Sequence, residues 1–262
     1  MNPQHEQKIK KLSLIPVGLG KKKFSNNFLN DKNGINISNK NPNYGEYTFH
    51  YWIWKNYINN IETNWVGFCQ YRKFFTKINI ENNKVNFDLL KNNLITDITH
   101  DYDNYDCILG EQFSVENFKF IKFVKKNFIK IITSPKAIFY KRKRTIKFHF
   151  DIFHGSGNLD KAIDLLDLDN KEDFRKFVNS KTSFNPHNMF MCKKEFLKKY
   201  YESIFPWLEK CENLFGFDLE GYGMKRIYGF LAERYLSYWF SKYCRVKEVP
   251  ILFKDLSDYK YL

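Results

Sequence analysis

Short apolar runs of strand length alternate with longer stretches of helical period along this chain, and that interleaving restricts the fold more than any other feature. Leu12–Gly18, Trp65–Phe75, Tyr105–Leu109, Asn188–Cys192 and Val246–Ile251 read as strands. Between them, Asp88–Leu94, Lys147–Leu168, Glu172–Val178, Lys193–Glu212 and Lys225–Lys242 read as helices. Lys21–Asn43, rich in Asn, Lys and Gly, reads as an extended surface loop. Asn43 stands three residues before Glu46, a capping-box spacing, and Tyr47, Tyr51, Trp54 and Ile58 then share one apolar helical face. The expectation is an α/β fold: a mixed, mainly parallel sheet flanked by helices, with a helical C-terminal half. Such sheets take ligands beyond the carboxyl ends of their strands, which is where Gln70-Tyr71-Arg72-Lys73 would lie.

Composition sets the function classes. With 43% hydrophobic residues in 262, the chain can bury a sizeable core, which excludes a disordered, collagen-like or disulfide-stapled protein. No apolar run approaches the roughly 20 residues that cross a bilayer, and Met1–Lys11 is too polar for a secretory signal, so a soluble cytoplasmic protein is expected. Cys69, Cys107, Cys192, Cys211 and Cys244 are scattered, odd in number and never spaced as CxxC, which fits a reducing compartment. Forty-three Lys and Arg against 29 Asp and Glu give a net charge of +14. That surplus favours nucleic acid, an anionic membrane surface or phosphorylated substrates, although an AT-rich genome also inflates Lys. Phe118–Phe150 interleaves Phe and Ile with Lys and Arg, a pattern suited to peripheral attachment at an anionic inner membrane.

Walker A, GxGxxG, HExxH and GxSxG motifs are absent. Asp101-Tyr102-Asp103 is formally a DxD, the acidic pair that holds Mn or Mg against a diphosphate in many sugar transferases, or else a solvated turn. His149 and His154, five apart, do not share a helix face well.

Two ordered blocks carry the most information: "GINISNKNPNYGEYTFHYWIWKN" at Gly34–Asn56 and "WVGFCQYRKFF" at Trp65–Phe75. They are followed by "YDCIL" from Tyr105, "HNMFMCKKEFLKKYYESIFPWLEKCE" from His187 and "RIYGFLAERYLSYW" from Arg226. These five blocks resemble a bacterial family of glycosyltransferase-like capsular and lipopolysaccharide biosynthesis proteins, long catalogued as a domain of unknown function, some of whose members look like galactofuranosyltransferases. The sequence departs from the family pattern at Ile35, where Asp is usual, at Gln70, where His is usual, and at His187, where Tyr is usual.

The resemblance implies a GT-A-like, hexosyltransferase-like enzyme that moves a sugar from a nucleotide-diphospho-sugar, UDP-sugars foremost, to a lipid-linked or surface-polysaccharide glycan. It implies one transferase domain with a nucleotide-sugar-binding half at 1–113, a basic-aromatic insertion at 114–150 and an acceptor-binding helical half at 151–262. Carried over residue by residue, the donor contacts fall on Asn36, Ser38, Asn41, Glu46, Lys55, Gln70, Tyr71, Arg72, Lys73, Asp106, Asn188 and Arg234. Glu233, Asp160 and His154 are the candidate bases. Arg72 with Lys73 is expected to neutralise the departing diphosphate, so no cofactor is required unless Asp101 and Asp103 hold Mn or Mg. Each assignment has an ordinary alternative: Glu46 as a helix cap, Trp52 and Trp54 as core, Glu233-Arg234 as an internal ion pair, His154 as a satisfied helix histidine. The rival from another class is a module binding single-stranded nucleic acid through basic and aromatic side chains, against which no RNP, KH or helix-turn-helix signature is found.

Overall fold

The computed structural model describes residues 3–117 and 144–259, so the basic-aromatic stretch lies outside the described residues over 118–143. Its strands are β1 Trp65–Phe68, β2 Lys73–Phe75, β3 Cys107–Gly110, β4 Phe113–Ser114, β5 Ser183–Phe184, β6 Phe190–Lys193, β7 Val246–Val249 and β8 Ile251–Phe253. The chain forms two compact units, one of residues 1–111, 187–202 and 243–262, the other of residues 112–186 and 203–242.

In the first unit, four strands run in the order β1-β6-β3-β7. All four residues of β3 are buried, which accounts for a strand written as an unbroken apolar run rather than an alternating one. Its last residue is Gly110, where a Cβ would sit 2.0 Å from Ile251 Cδ1. The α/β class, the mixed sheet and the helical C-terminal half agree with expectation. The balance of the sheet agrees as well: β3 and β7 pair in parallel, and β6 is antiparallel to both β1 and β3, so β1, β3 and β7 run one way and β6 alone is reversed. Residues 112–186 separate β3 from β6, and the chain returns from them in the opposite sense.

The long expected strand at Trp65–Phe75 is two strands, because the chain turns at Tyr71-Arg72 and β2 leaves to pair with β8. Leu12–Gly18 is not a strand either. Glu6–Lys11 is helical, and Ile9 and Leu12 enter a buried cluster with Phe74, Leu90, Leu252 and Leu256. Pro16 has no N–H to donate, and the segment keeps one isolated bridge, Val17 to Leu29. Asn43 lies inside a short helix, Asn41–Tyr44, instead of capping one.

Among the described residues, the second unit is helical apart from the β4–β5 pair. The expected helix Lys147–Leu168 is two helices, Ile146–His154 and Asn158–Asp164, broken where Gly155 and Gly157 take φ of 90° and 76°. Thr145 and Asp167 cap Ile146–His154 and Leu168–Ser180 through side-chain oxygens, at 3.3 and 3.0 Å from Phe148 N and Asn170 N. Phe174, fully buried, meets Trp207 and Tyr235 edge-on at 6.0 and 5.3 Å, and the Trp207 indole donates to the Ala162 carbonyl. No helix among the described residues is long and apolar enough to cross a membrane.

Candidate functional site

The antiparallel register of β1 and β6 sets Phe68 opposite Phe190. The residues that leave β1 therefore meet those that enter β6, although 117 positions separate Gln70 from His187. Five side chains and one carbonyl close a polar network there. Gln70 Nε2 donates to Glu46 Oε1 at 3.1 Å and to the His187 carbonyl at 2.6 Å. Asn188 Nδ2 donates to the same Glu46 oxygen at 3.0 Å. Lys73 Nζ donates to Gln70 Oε1 at 2.7 Å and lies 3.0 Å from His187 Nδ1.

Local chemistry explains the assembly. Gln70 bridges to Lys73 across the Tyr71-Arg72 turn, so both side chains face one side. Glu46 occupies the N-cap position of helix Tyr47–Trp52 but makes no side-chain cap bond; its carboxylate is turned to the network. His187 and Asn188 are consecutive non-glycine residues with φ of 80° and 54°, a cost of about 1–3 kcal/mol each that the surrounding contacts sustain.

Burial, reinforced by the Lys73 charge, lowers the His187 pKa to about 4, so the ring is neutral at pH 7. An ammonium has only protons to offer, so Nδ1 accepts from Lys73 and the ring proton sits on Nε2. The Lys73 ammonium also lies 5.4 Å from the centre of the Phe253 ring. The result is a fixed cation with a neutral imidazole N–H beside it.

The other expected site residues divide. Arg72 turns away from Lys73, stacks on Tyr71 at 4.5 Å and lies 3.8 Å from Asp255, with its side chain 54% exposed. Asn36 serves its own loop, accepting from Ser38 Oγ at 2.8 Å, and Asn41 Nδ2 donates to the Gly45 carbonyl. Lys55 lies 3.4 Å above the Trp54 ring, and the Trp52 indole donates to the Asn33 carbonyl. Asp106 is held by Lys193 and Arg245, whose guanidinium, first among the causes, keeps its carboxyl well below the ordinary range. Asp101 and Asp103 sit on an exposed turn, bonded to Thr99 and His100. No cluster of three or more His, Cys, Asp or Glu able to hold a metal occurs among the described residues.

In the second unit, Arg234 is buried and pairs with Glu233, donates toward His149 Nδ1 at 3.3 Å and stacks over Phe184 at 4.4 Å. His154 Nδ1 lies 3.0 Å from the Gly223 carbonyl, its ring stacks on Phe230 at 4.0 Å, and burial lowers its pKa to about 3. Asp160 pairs with Lys147 at 2.7 Å. His187, Phe253, Arg245 and His149 escaped the sequence reading as partners. The sequence signal for His187 is its departure from the Tyr usual at that position in the family.

The family described as a domain of unknown function, DUF4422, matches residues 3–244. No curated protein matches. Among solved structures, the fold is similar to that of the WbbM bifunctional glycosyltransferase, with a TM-score of 0.58 and 22% identity over 87% of this chain. The match spans 39% of the length of that larger protein.

Proposed function

We infer that this chain, which belongs to the DUF4422 family, is a glycosyltransferase that moves a sugar from a nucleotide-diphosphate donor to a glycan acceptor. UDP-sugars are the first donors to try, and lipid-linked or surface-polysaccharide glycans the acceptors. The fold likeness to a bifunctional glycosyltransferase supports the reaction class. The observation that carries the chemistry is Lys73, an ammonium fixed between Gln70 and a neutral His187 at the end of β1.

As the bond from the sugar to the diphosphate breaks, negative charge builds on the departing oxygen. A preorganised cation aimed at that charge stabilises the transition state more than the ground state. Lys73 supplies a compact point charge, and the His187 Nε2–H is a neutral donor beside it. Glu46 and Asn188 hold Gln70 and the His187 backbone in register, which makes them positioning residues. The acceptor hydroxyl also needs a base. Glu233, Asp160 and His154 stay the candidates for that role, each with a partner inside the second unit: the Arg234 guanidinium, Lys147 and the Gly223 carbonyl.

The test is UDP release from a panel of UDP-hexoses and UDP-N-acetylhexosamines, with and without acceptor glycans. Lys73→Ala is expected to fold normally and to lose at least ~100-fold in rate, equivalent to about 2.7 kcal/mol. Turnover is expected to survive EDTA, because the cation is a side chain. Thermal stabilisation by oligonucleotides and by no UDP-sugar would reject the reading in favour of nucleic-acid binding.

A further inference from the structure

The opposite end of the β1–β6 ladder holds a concave surface. There Trp65 pairs with Lys193, three residues and about 10 Å along the strands from the Phe68–Phe190 pair that carries the Lys73 network. A cleft of about 750 Å³ opens at this end, between the Ile58-Asn59 turn, the Asn64-Trp65 entry to β1, Asp103 and the first turn of helix Lys194–Phe215. Its size falls within the range of sites that hold drug-sized ligands.

Its lining is unlike an anion site. Lys193 is spent on Asp106, and Lys194 donates to the Asn59 and Ile61 carbonyls. The charges are balanced: Lys194 and Lys198 face Glu195 and Asp103 around the same rim. What the cleft does offer is unclaimed hydrogen-bonding capacity. The side chains of Asn59, Asn64, Glu195 and Lys198 and the Trp65 indole N–H have no hydrogen-bond partner among the described residues. Trp65 is half-buried against the Phe75, Ile108 and Met189 cluster, so its ring is a rigid wall and not a mobile surface group.

An aromatic wall with carboxamides, a carboxylate and an ammonium, and no net charge, suits a ligand with apolar C–H faces and hydroxyls that both donate and accept. We propose that this cleft is a saccharide-binding site separate from the Lys73 network, taking an uncharged di- or oligosaccharide with one sugar ring against Trp65 and its hydroxyls on Asn64, Glu195 and Lys198. The proposal stands apart from the transfer reaction: such a site retains a glycan chain whatever chemistry occurs at the other end of the ladder.

Saturation-transfer NMR on the full chain tests it, with lactose, maltotriose and N,N′-diacetylchitobiose as probes at about 5 mM, where millimolar binding is populated. Transfer to at least one probe is expected. The signal should fall at least ~fivefold, about 1 kcal/mol, in a Glu195→Ala/Lys198→Ala variant, whose two sites are exposed and leave the fold intact. Absence of transfer to all three probes overturns the proposal, as does a signal undiminished in the variant. Displacement of a bound probe by inorganic phosphate at equal concentration overturns the class of ligand.

Discussion

Asp106 falls where the family resemblance implies a donor contact, yet its surroundings make it a clamp, and replacing it separates the two roles. Its carboxylate receives the Arg245 backbone N–H at 3.1 Å, the Arg245 guanidinium through two bonds at 3.0 Å each, and Lys193 Nζ at 2.7 Å. Its own main chain ties β3 to the neighbouring strands, donating to the Arg245 carbonyl and accepting from Lys193 N. In Asp106→Ala the Arg245 N–H loses its acceptor, at about 1–3 kcal/mol. The two cations, 63% and 28% exposed, recover water, so each ion pair forfeits only about 0.5–1 kcal/mol. The variant should therefore lose about 2–5 kcal/mol by urea denaturation followed through tryptophan fluorescence, and Asp106→Asn, which keeps one acceptor, about half of that.

The pH dependence has a definite sign. Arg245 lowers the Asp106 pKa in the folded state below its ordinary 3.8, so the contribution is complete above that value and disappears as pH falls through the lower, folded one. The stability gap between wild type and Asp106→Ala should be flat from pH 8 to pH 5 and shrink below pH 4. A gap under about 0.5 kcal/mol at pH 7, with UDP-sugar affinity lost instead, would refute the clamp and return Asp106 to the donor site.

Arg72, exposed and loosely paired with Asp255, should contribute less than Lys73: Arg72→Ala is expected to slow turnover by ~10-fold, and a loss as large as that of Lys73→Ala would show that both cations grip the diphosphate. Burial lowers the pKa values of His50 and His154 to about 3 and that of His187 to about 4, from 6.5. Their neutral forms thus contribute stability that is complete above pH 6.5 and lost toward pH 4 and below, so Tm should fall on acidification over that range, less steeply in His187→Gln. Binding to anionic liposomes, weakened by salt, is expected from the 118–143 segment and should drop in Lys141→Ala/Arg142→Ala/Lys143→Ala; Arg144 is left in place because its guanidinium donates to the Glu116 carbonyl at 2.7 Å. Equal partitioning of variant and wild type would dismiss the membrane attachment.

What the sequence revealed follows the range of the interactions involved. The strand at Tyr105–Leu109 is recognisable because it is buried on every side and needs no partner to be read. The apolar run at Leu12–Gly18 misleads because it cannot by itself distinguish a strand from the end of a helix; its partners Phe74 and Leu252 lie far along the chain. Gly155 and Gly157 interrupt an otherwise helical period, and only the structure shows that both take the positive φ that breaks the helix. At the site, Gln70, Lys73, Glu46 and Asn188 stand in blocks that family resemblance picks out, but the bonds among them depend on the β1–β6 register. The spacing of Glu46 from Asn43 suggests a cap, and only tertiary structure shows the carboxylate turned elsewhere. His187 registers in the sequence as a departure from the family pattern; its position beside Lys73 is a long-range fact.

The strand pairing of the first unit also bears on how the protein is made. β3 takes its parallel neighbour β7 from residues 246–249, and β2 takes β8 from residues 251–253. A ribosome that has delivered β2 and β3 must therefore synthesise well over a hundred further residues before either finds its last partner. During that interval the β3 backbone edge destined for β7 is open to any passing strand. The second unit, whose described helices lie within residues 146–242, can complete its core before then. Translation speed through residues 111–253 then sets how long the nascent sheet is vulnerable to aggregation.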